Sequence, residues 1–139
     1  MTAGEPTRGR GQPRHRFSRC VSVDDTETNG RHLTFDKILG LFRDCWCSFF
    51  LAVDAGLHPS WMLLRHLQAD FAGEVMAGEI SLSVRVRATG RTSVRLELTA
   101  YQAERQVSRL EAVFVRCDPA TGKPSRLAEP ELSALSRYR

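Results

Sequence analysis

One long helical pattern, followed by a chain that alternates apolar and polar residues, constrains this fold most. In residues 34–56 apolar side chains recur every three or four positions, which is the period of an α-helix. Thr34 is suited to cap the start of this helix and Gly56 to end it. Its polar face is narrow and is limited to Lys37, Arg43, Asp44 and Ser48. A helix that is apolar on most sides is typical of a buried position, so we expect a sheet to wrap around it.

Beyond residue 60 the period changes to two, which predicts β-strands. The strictest case is residues 80–88, "ISLSVRVRA", where every second side chain is apolar. Two segments that contain glycine, "AGEVMAGE" and "GRTS", flank this stretch and predict turns. Four strands are expected after the helix, and a weak one, "FSRCVSV", before it. An antiparallel sheet can bury one apolar face on a single helix, so the predicted class is α+β.

The basic charge of the chain is concentrated near its first residue. Residues 1–20 hold five arginines against one glutamate, whereas the other residues hold fifteen basic and fifteen acidic side chains. Residues 1–16 are rich in Gly, Pro and Arg, so we predict a disordered segment there and a single domain over residues 17–139. The balanced charge of that domain argues against a nucleic-acid partner. Without an apolar signal segment or a run of about 18 apolar residues, a cytoplasmic protein with no membrane partner is expected.

The four cysteines and four histidines show no metal-ligand spacing, so no metal is predicted. Cys45 and Cys47 lie two residues apart in the helical pattern, where their side chains point in different directions. Buried free thiols in a reducing compartment are therefore expected. Because so small a domain has nothing to cover the edges of its sheet, we also expect a homodimer or homotetramer joined through edge strands or the helix.

The segment before the helix, "DTETNG" at residues 25–30, has two readings. Asp, Thr, Asn and Gly are common turn and N-cap residues, so the segment is first of all a turn into the helix. Two acids just before a helix also suit an active site, because the unpaired N–H groups of a first helical turn stabilise a negatively charged oxygen. Local pattern alone leaves both readings open.

The segment "DTETNGRHLTF" resembles the D-T-D-x-x-G-H-V-N signature of the 4-hydroxybenzoyl-CoA thioesterase-like family of acyl-CoA thioesterases. The resemblance continues through "VDAGL", the stretch from "HLQADF" to "GRTSVRLELTAY", and "AVFVRCDPATGKPSRL", and spans roughly residues 19–130. It implies the hotdog fold, in which a curved antiparallel sheet wraps around one long central helix. It also implies hydrolysis of an acyl-CoA or acyl-carrier-protein thioester without a separate cofactor, since coenzyme A or phosphopantetheine enters as part of the substrate.

The same resemblance implies roles for individual residues. Glu27 takes the position of the catalytic carboxylate, a nucleophile or general base, because it is the second acid of the motif. The segment implied to hold the oxyanion and the substrate consists of Gly30, His32, Leu33, Thr34 and Phe35. The hairpin implied to bind the phosphates of coenzyme A consists of Arg91, Thr92 and Ser93.

The chain departs from the family pattern at positions 27, 31 and 37, where it has Glu, Arg and Lys, and near Glu74, where the family commonly has a proline. A glutamate is one methylene longer than an aspartate, and a displacement of about 1 Å can lower a rate about a hundredfold. A structural role in the turn therefore remains an alternative for Glu27. For Arg91 the alternative is a side chain that only faces solvent, and for His32 it is a partly buried side chain that hydrogen-bonds to the backbone. The alternative function is a non-catalytic hotdog protein that binds an acyl thioester or a protein partner. A hotdog dehydratase is less favoured, because His32 lies in the wrong element for it.

Overall fold

The computed structural model describes residues 15–28, 30–53 and 57–139. Its elements in chain order are β1 (Phe17–Val23), α1 (Asp25–Thr28), α2 (Phe35–Val53), β2 (Met62–Phe71), β3 (Gly78–Thr89), β4 (Ser93–Gln102), β5 (Arg105–Arg116) and α3 (Glu129–Ser136). A 3₁₀ turn at Pro59–Trp61 precedes β2. The predicted order of one strand, one long helix and four strands is confirmed. Of residues 1–16, for which disorder is predicted, residues 1–14 lie outside the described part of the chain. The turn residue Asn29 and the helix stop Gly56 also lie outside it.

The five strands form one antiparallel sheet in the order β1-β3-β4-β5-β2, with α2 packed on its apolar face. The alternation in the sequence correctly predicts the buried side of β3, whose residues are Ile80, Leu82, Val84 and Val86. From the helix, the rings of Trp46 and Phe50 each meet Phe114 of β5, with ring centroids 5.1 Å apart. The predicted α+β class and the hotdog arrangement of a sheet against one long central helix are therefore confirmed.

β2 is an exception to this regular burial. Every residue from 63 to 71 except Ala69 is exposed. A bulge at Arg65 interrupts its pairing with β5, so that Leu64 lies opposite the buried Phe114. Directly opposed residues share a face of the sheet. Alternation in the sequence of this segment predicts that Arg65, Leu67, Ala69 and Phe71 share one side of the strand. This is wrong at Arg65, because the bulge adds a residue and places Leu64 on the side that faces the core.

The two edges of the sheet differ. The Val86 N–H on β3 donates to Tyr138 O at 2.8 Å, so the chain after α3 hydrogen-bonds to the same edge of β3 as β1 does. α3 is anchored by Glu131, which is almost fully buried and accepts from Arg116 and from the Ala128 N–H. On the other side, no segment in the described ranges pairs with the outer edge of β2. The large apolar side chains exposed along that edge are Trp61, Leu63, Leu64, Leu67 and Phe71.

The outer face of the sheet is polar, and its charges are paired. Glu97 on β4 accepts a hydrogen bond of 2.6 Å from Arg109 and lies 3.7 Å from Arg85 and 3.8 Å from Arg87. Glu111 lies directly opposite Glu97 in the register, where two carboxylates repel each other. Arg109 contacts both carboxylates and offsets that repulsion. This face therefore suits contact with water, unlike the edge at β2.

The cysteine thiols differ in accessibility, which allows a test of the packing of α2. Burial raises the pKa of the Cys45 thiol to about 11, whereas Cys20 on β1 is exposed. The prediction of buried thiols is therefore confirmed for Cys45 and wrong for Cys20. Because the thiolate is the reactive form, we expect a thiol reagent at about pH 8 to modify Cys20 readily and to leave Cys45 intact in the folded protein. Timed labelling followed by peptide mass spectrometry measures both sites. Equal labelling rates at Cys20 and Cys45 would contradict the buried position of Cys45.

Candidate active site

α1 is closed by reciprocal hydrogen bonds between Asp24 and Glu27. The Asp24 carboxylate accepts the N–H of Thr26 at 2.9 Å and that of Glu27 at 3.3 Å, and Glu27 Oε1 accepts the Asp24 N–H at 3.0 Å. This is a capping box, which satisfies the free N–H groups at a helix start. The hydrogen bond from the Thr26 hydroxyl, with those from the two N–H groups, holds the pKa of Asp24 below its usual value. Residues 25–28 thus form one helical turn, and the exposed Glu27 uses one carboxylate oxygen to hold it.

A glycine reverses the chain between α1 and α2. Gly30 has a φ of +73°, a left-handed conformation that favours glycine, and its N–H donates to Asp25 O at 3.3 Å. Across this reversal, Lys37 Nζ on the first turn of α2 donates to Glu27 O at 3.1 Å. α1 is therefore fastened to the N-terminal turn of α2, and the two together form a corner of the molecule.

The first turn of α2 contains the amide groups predicted to stabilise an oxyanion. The Leu33 N–H donates to Val75 O at 2.7 Å, so it is engaged with the loop before β3. Thr34 O accepts the N–H groups of Lys37 and Ile38, and a hydrogen bond from the Thr34 hydroxyl holds the pKa of Asp36 below its usual value. At the first helical position an N–H has no intrahelical acceptor. Of the predicted donors, Phe35 N–H at that position is therefore better placed for an oxyanion than Leu33 N–H.

His32 lies at the same corner. Its Nδ1 is 3.5 Å from Oε2 of Glu74, and its side chain is about half exposed. Glu74 belongs to the loop of residues 72–77 between β2 and β3. Within residues 15–28, 30–53 and 57–139, no group of three or more His, Cys, Asp or Glu side chains is arranged to hold a metal ion.

The predicted phosphate-binding hairpin joins β3 to β4. The Gly90 N–H donates to Ser93 O at 2.8 Å, and Arg91 O and Thr92 O accept the N–H groups of Leu127 and Arg116. A Cβ at position 90 would lie 2.6 Å from Ser93 Oγ, so a larger residue there would require this hydroxyl to move. The hairpin is thus held against the chain after β5, and Arg91 is its exposed residue.

The hairpin and the Glu27 corner lie at opposite ends of the sheet. Gly78, the first residue of β3, pairs with Val23 just before α1, whereas Thr89, its last residue, precedes the hairpin. A strand of twelve residues spans roughly 35 Å. Within one chain, Arg91 therefore does not lie near Glu27.

Several solved structures share this fold at low sequence identity. A predicted thioesterase from Bacillus stearothermophilus has a TM-score of 0.80 and 16% identity, over 89% of this chain and 96% of that one. A thioesterase from Thermus thermophilus, complexed with coenzyme A and Zn, has a TM-score of 0.76 and 17% identity, over 85% and 90%. A 1,4-dihydroxy-2-naphthoyl-CoA thioesterase from Synechocystis has a TM-score of 0.73 and 15% identity, over 88% and 96%.

The chain is a hotdog-fold protein, as the resemblance in its sequence implies. No protein-family model matches it, and no curated protein matches it in sequence. At identities of 15 to 17% the likeness is one of fold, and the sequence departs from the family pattern at positions 27, 31 and 37.

The sequence pattern does not identify three residues that contribute to the corner in the structure. The sequence allows Asp24 to be predicted as the hydrogen-bond partner of Glu27, because a capping box joins an N-cap residue to the residue three places later. Glu74 carries no local signal, since only the folding of its loop brings it to His32. Gln102, which holds that loop through its side-chain amide, looks like any polar strand end.

Proposed function

We propose that this protein hydrolyses an acyl thioester, with the corner formed by α1 and the first turn of α2 as its active site. The observation that carries the proposal is the Glu27 carboxylate on a helical turn fastened to the N-terminus of α2, in a fold shared with thioesterases. A thioester has a good leaving group, so a well-placed carboxylate and a donor for the developing oxyanion suffice without a Ser-His-Asp triad. The substrate class is a coenzyme A or carrier-protein thioester, and no separate cofactor is required.

In this proposal Glu27 either attacks the thioester carbonyl or activates the water that does so. The Phe35 N–H and the positive end of the α2 dipole stabilise the negative charge that develops on the carbonyl oxygen. Gly30 and Thr34 set the path of the chain on either side of His32, so that the carboxylate and the helix start stay close. The C–S bond then breaks, and the thiolate leaves.

A second protomer would complete the substrate site. The outer edge of β2, with which no described segment pairs, and its apolar side chains suit antiparallel pairing with the same edge of a second copy. Such pairing sets the Phe71 end of one β2 beside the Met62 end of the other. Met62 pairs with Arg116, whose N–H donates to Thr92 O, so the Met62 end of β2 lies next to the hairpin. The corner of one protomer and the Arg91 hairpin of its partner would therefore lie at the same end of the dimer. A homodimer, or a homotetramer built from it, then lets Arg91, Thr92 and Ser93 serve the partner's site.

Thiol release from a panel of acyl-CoA and acyl-carrier-protein substrates tests the proposed function. Because the exposed Cys20 consumes thiol reagents, the assay uses Cys20→Ser protein with and without Glu27→Gln. At least one substrate should release thiol faster with the parent than with the Glu27→Gln protein. If none does, the hydrolase proposal fails.

The role of Arg91 has a separate test. Arg91→Ala should raise KM for acyl-CoA about tenfold with little change in kcat, because a charge-assisted contact to a phosphate adds binding that is the same in ground and transition states. Arg87→Ala, which removes an arginine from the outer face, is the matched control and should leave KM unchanged. An unchanged KM in Arg91→Ala protein would indicate a carrier-protein substrate or a solvent-facing role for Arg91.

One observation favours the second candidate, a non-catalytic hotdog protein that binds an acyl thioester or a protein partner. One oxygen of Glu27 already accepts the Asp24 N–H, so this residue has a structural role that explains its presence without chemistry. Saturable binding of acyl-CoA without any thiol release would favour this candidate.

A further inference from the structure

His32 and Glu74 form a histidine–carboxylate pair at the same corner, and the mechanism above gives neither side chain a chemical role. His32 Nδ1 lies 3.5 Å from Glu74 Oε2. The two residues come from different segments, one just before α2 and the other from the loop between β2 and β3. Their side chains are 47% and 68% exposed, so a substrate can reach the imidazole.

The backbone beside both residues is anchored. The Leu33 N–H donates to Val75 O at 2.7 Å, and Leu33 and Val75 are both buried. Each member of the pair is therefore one residue away from a buried backbone hydrogen bond that joins the two segments. The position of the pair is set by this bond and does not depend on the side chains alone.

The loop that carries Glu74 is held from two other sides. The Gln102 side-chain amide accepts the Met76 N–H at 2.8 Å and donates to Met76 O at 2.8 Å. The N–H groups of Ala72 and Gly73 donate to Val107 O. A loop fixed on both flanks can keep the carboxylate of Glu74 within reach of His32, as a catalytic pair requires.

A strained turn follows Gln102. Ala103 and Glu104 have φ values of 50° and 61°, a left-handed region that side chains other than glycine occupy at a cost of about 1 kcal/mol or more each. The turn lets β5 begin at Arg105 directly after β4 ends at Gln102. The turn therefore places Gln102 at the end of β4, where its side chain holds the loop that carries Glu74.

We propose that His32, oriented by Glu74, accepts the proton of the water that completes thioester hydrolysis. With Nδ1 facing the carboxylate, the opposite ring nitrogen, Nε2, is left to act as the base. His32 lies three residues before Phe35, so the base and the oxyanion donor belong to one short segment. This inference rests on the proposed function and deepens it by adding a second catalytic residue.

The full sequence of bonds assigns Glu27 the nucleophilic role. The Glu27 carboxylate attacks the acyl carbon, the C–S bond breaks, and the thiolate leaves, which gives an anhydride between the acyl group and Glu27. Water then attacks the acyl carbon of the anhydride and gives one proton to His32 Nε2, and the bond to the Glu27 oxygen breaks. Glu27 is regenerated, the acyl group leaves as the carboxylic acid, and the proton on His32 passes to the thiolate.

Removal and chemical replacement of the imidazole test this assignment. We expect His32→Ala to lower kcat about a hundredfold with little change in KM, and added imidazole to restore a measurable part of kcat, as loss of a general base requires. Glu27→Gln should not respond to imidazole, because the missing group there is a carboxylate. Glu74→Ala should lower kcat, while Glu74→Gln, which still offers an oxygen to Nδ1, should retain more of it.

Asp44→Ala, which removes an exposed carboxylate from the middle of α2, is the control for Glu74→Ala and should leave kcat unchanged. Circular dichroism checks that each variant is folded. If His32→Ala keeps kcat within about threefold of the parent, or loses activity without any response to imidazole, the catalytic role of His32 is overturned while the hydrolase proposal stands. If the parent protein turns over no thioester, the hydrolase proposal falls and this inference falls with it.

Discussion

Glu27→Gln protein is expected to lose at least about a hundredfold in kcat while it keeps its fold and oligomeric state. Glutamine at this position can still accept the Asp24 N–H, because a capping box takes either Glu or Gln three residues after the N-cap. The substitution therefore removes the charged oxygen that chemistry needs and leaves the hydrogen bond that holds α1. Steady-state thiol release measures the rate, and urea unfolding measures the stability.

Two companion variants separate the two roles of Glu27. Glu27→Ala loses both the carboxylate and the cap, so it should match Glu27→Gln in rate and in addition be less stable by about 1 kcal/mol. Asp24→Ala removes the other half of the capping box and leaves the Glu27 carboxylate in place. If Glu27→Gln keeps the parent rate while Glu27→Ala and Asp24→Ala are both slow, Glu27 acts only as a structural cap.

Leu67→Lys protein is expected to be monomeric at micromolar concentrations and to lose nearly all thioesterase activity. Leu67 is exposed on β2, the edge strand whose outer side meets no other strand among the described residues, and a charged residue there opposes pairing with another strand. We expect the dissociation constant of the dimer to rise at least about a hundredfold, since a desolvated lysine at the centre of an apolar interface is costly. Activity falls with it, because the proposed site needs the hairpin of a second protomer.

Sedimentation velocity over a range of protein concentrations measures the oligomeric state. Tyr101→Lys is the matched control: Tyr101 is an exposed aromatic residue on β4, two strands away from the free edge, and its replacement should leave the dimer intact. A Leu67→Lys dimer with the parent affinity would show that the edge of β2 is not the interface.

Local sequence patterns predicted the elements because each pattern reports on its own segment. The alternation of residues 80–88 gave the buried side of β3 correctly, and the three-and-four spacing of Phe42, Cys45 and Phe49 gave the buried side of α2. The sequence predicts the corner only in part. Asp25 and Glu27 drew attention as paired acids, yet the partner of Glu27 is Asp24, since a helical turn joins residues three apart.

The sequence by itself determined the α+β class, the order of its elements, the hotdog arrangement and the acidic turn before the central helix. Only the tertiary structure decided which edge of the sheet stays open, that Arg91 lies at the far end from Glu27, and that His32 meets Glu74. The reason is physical. Periodicity records which side of a segment avoids water, whereas the neighbours of a strand and the contacts of a loop depend on how distant segments pack.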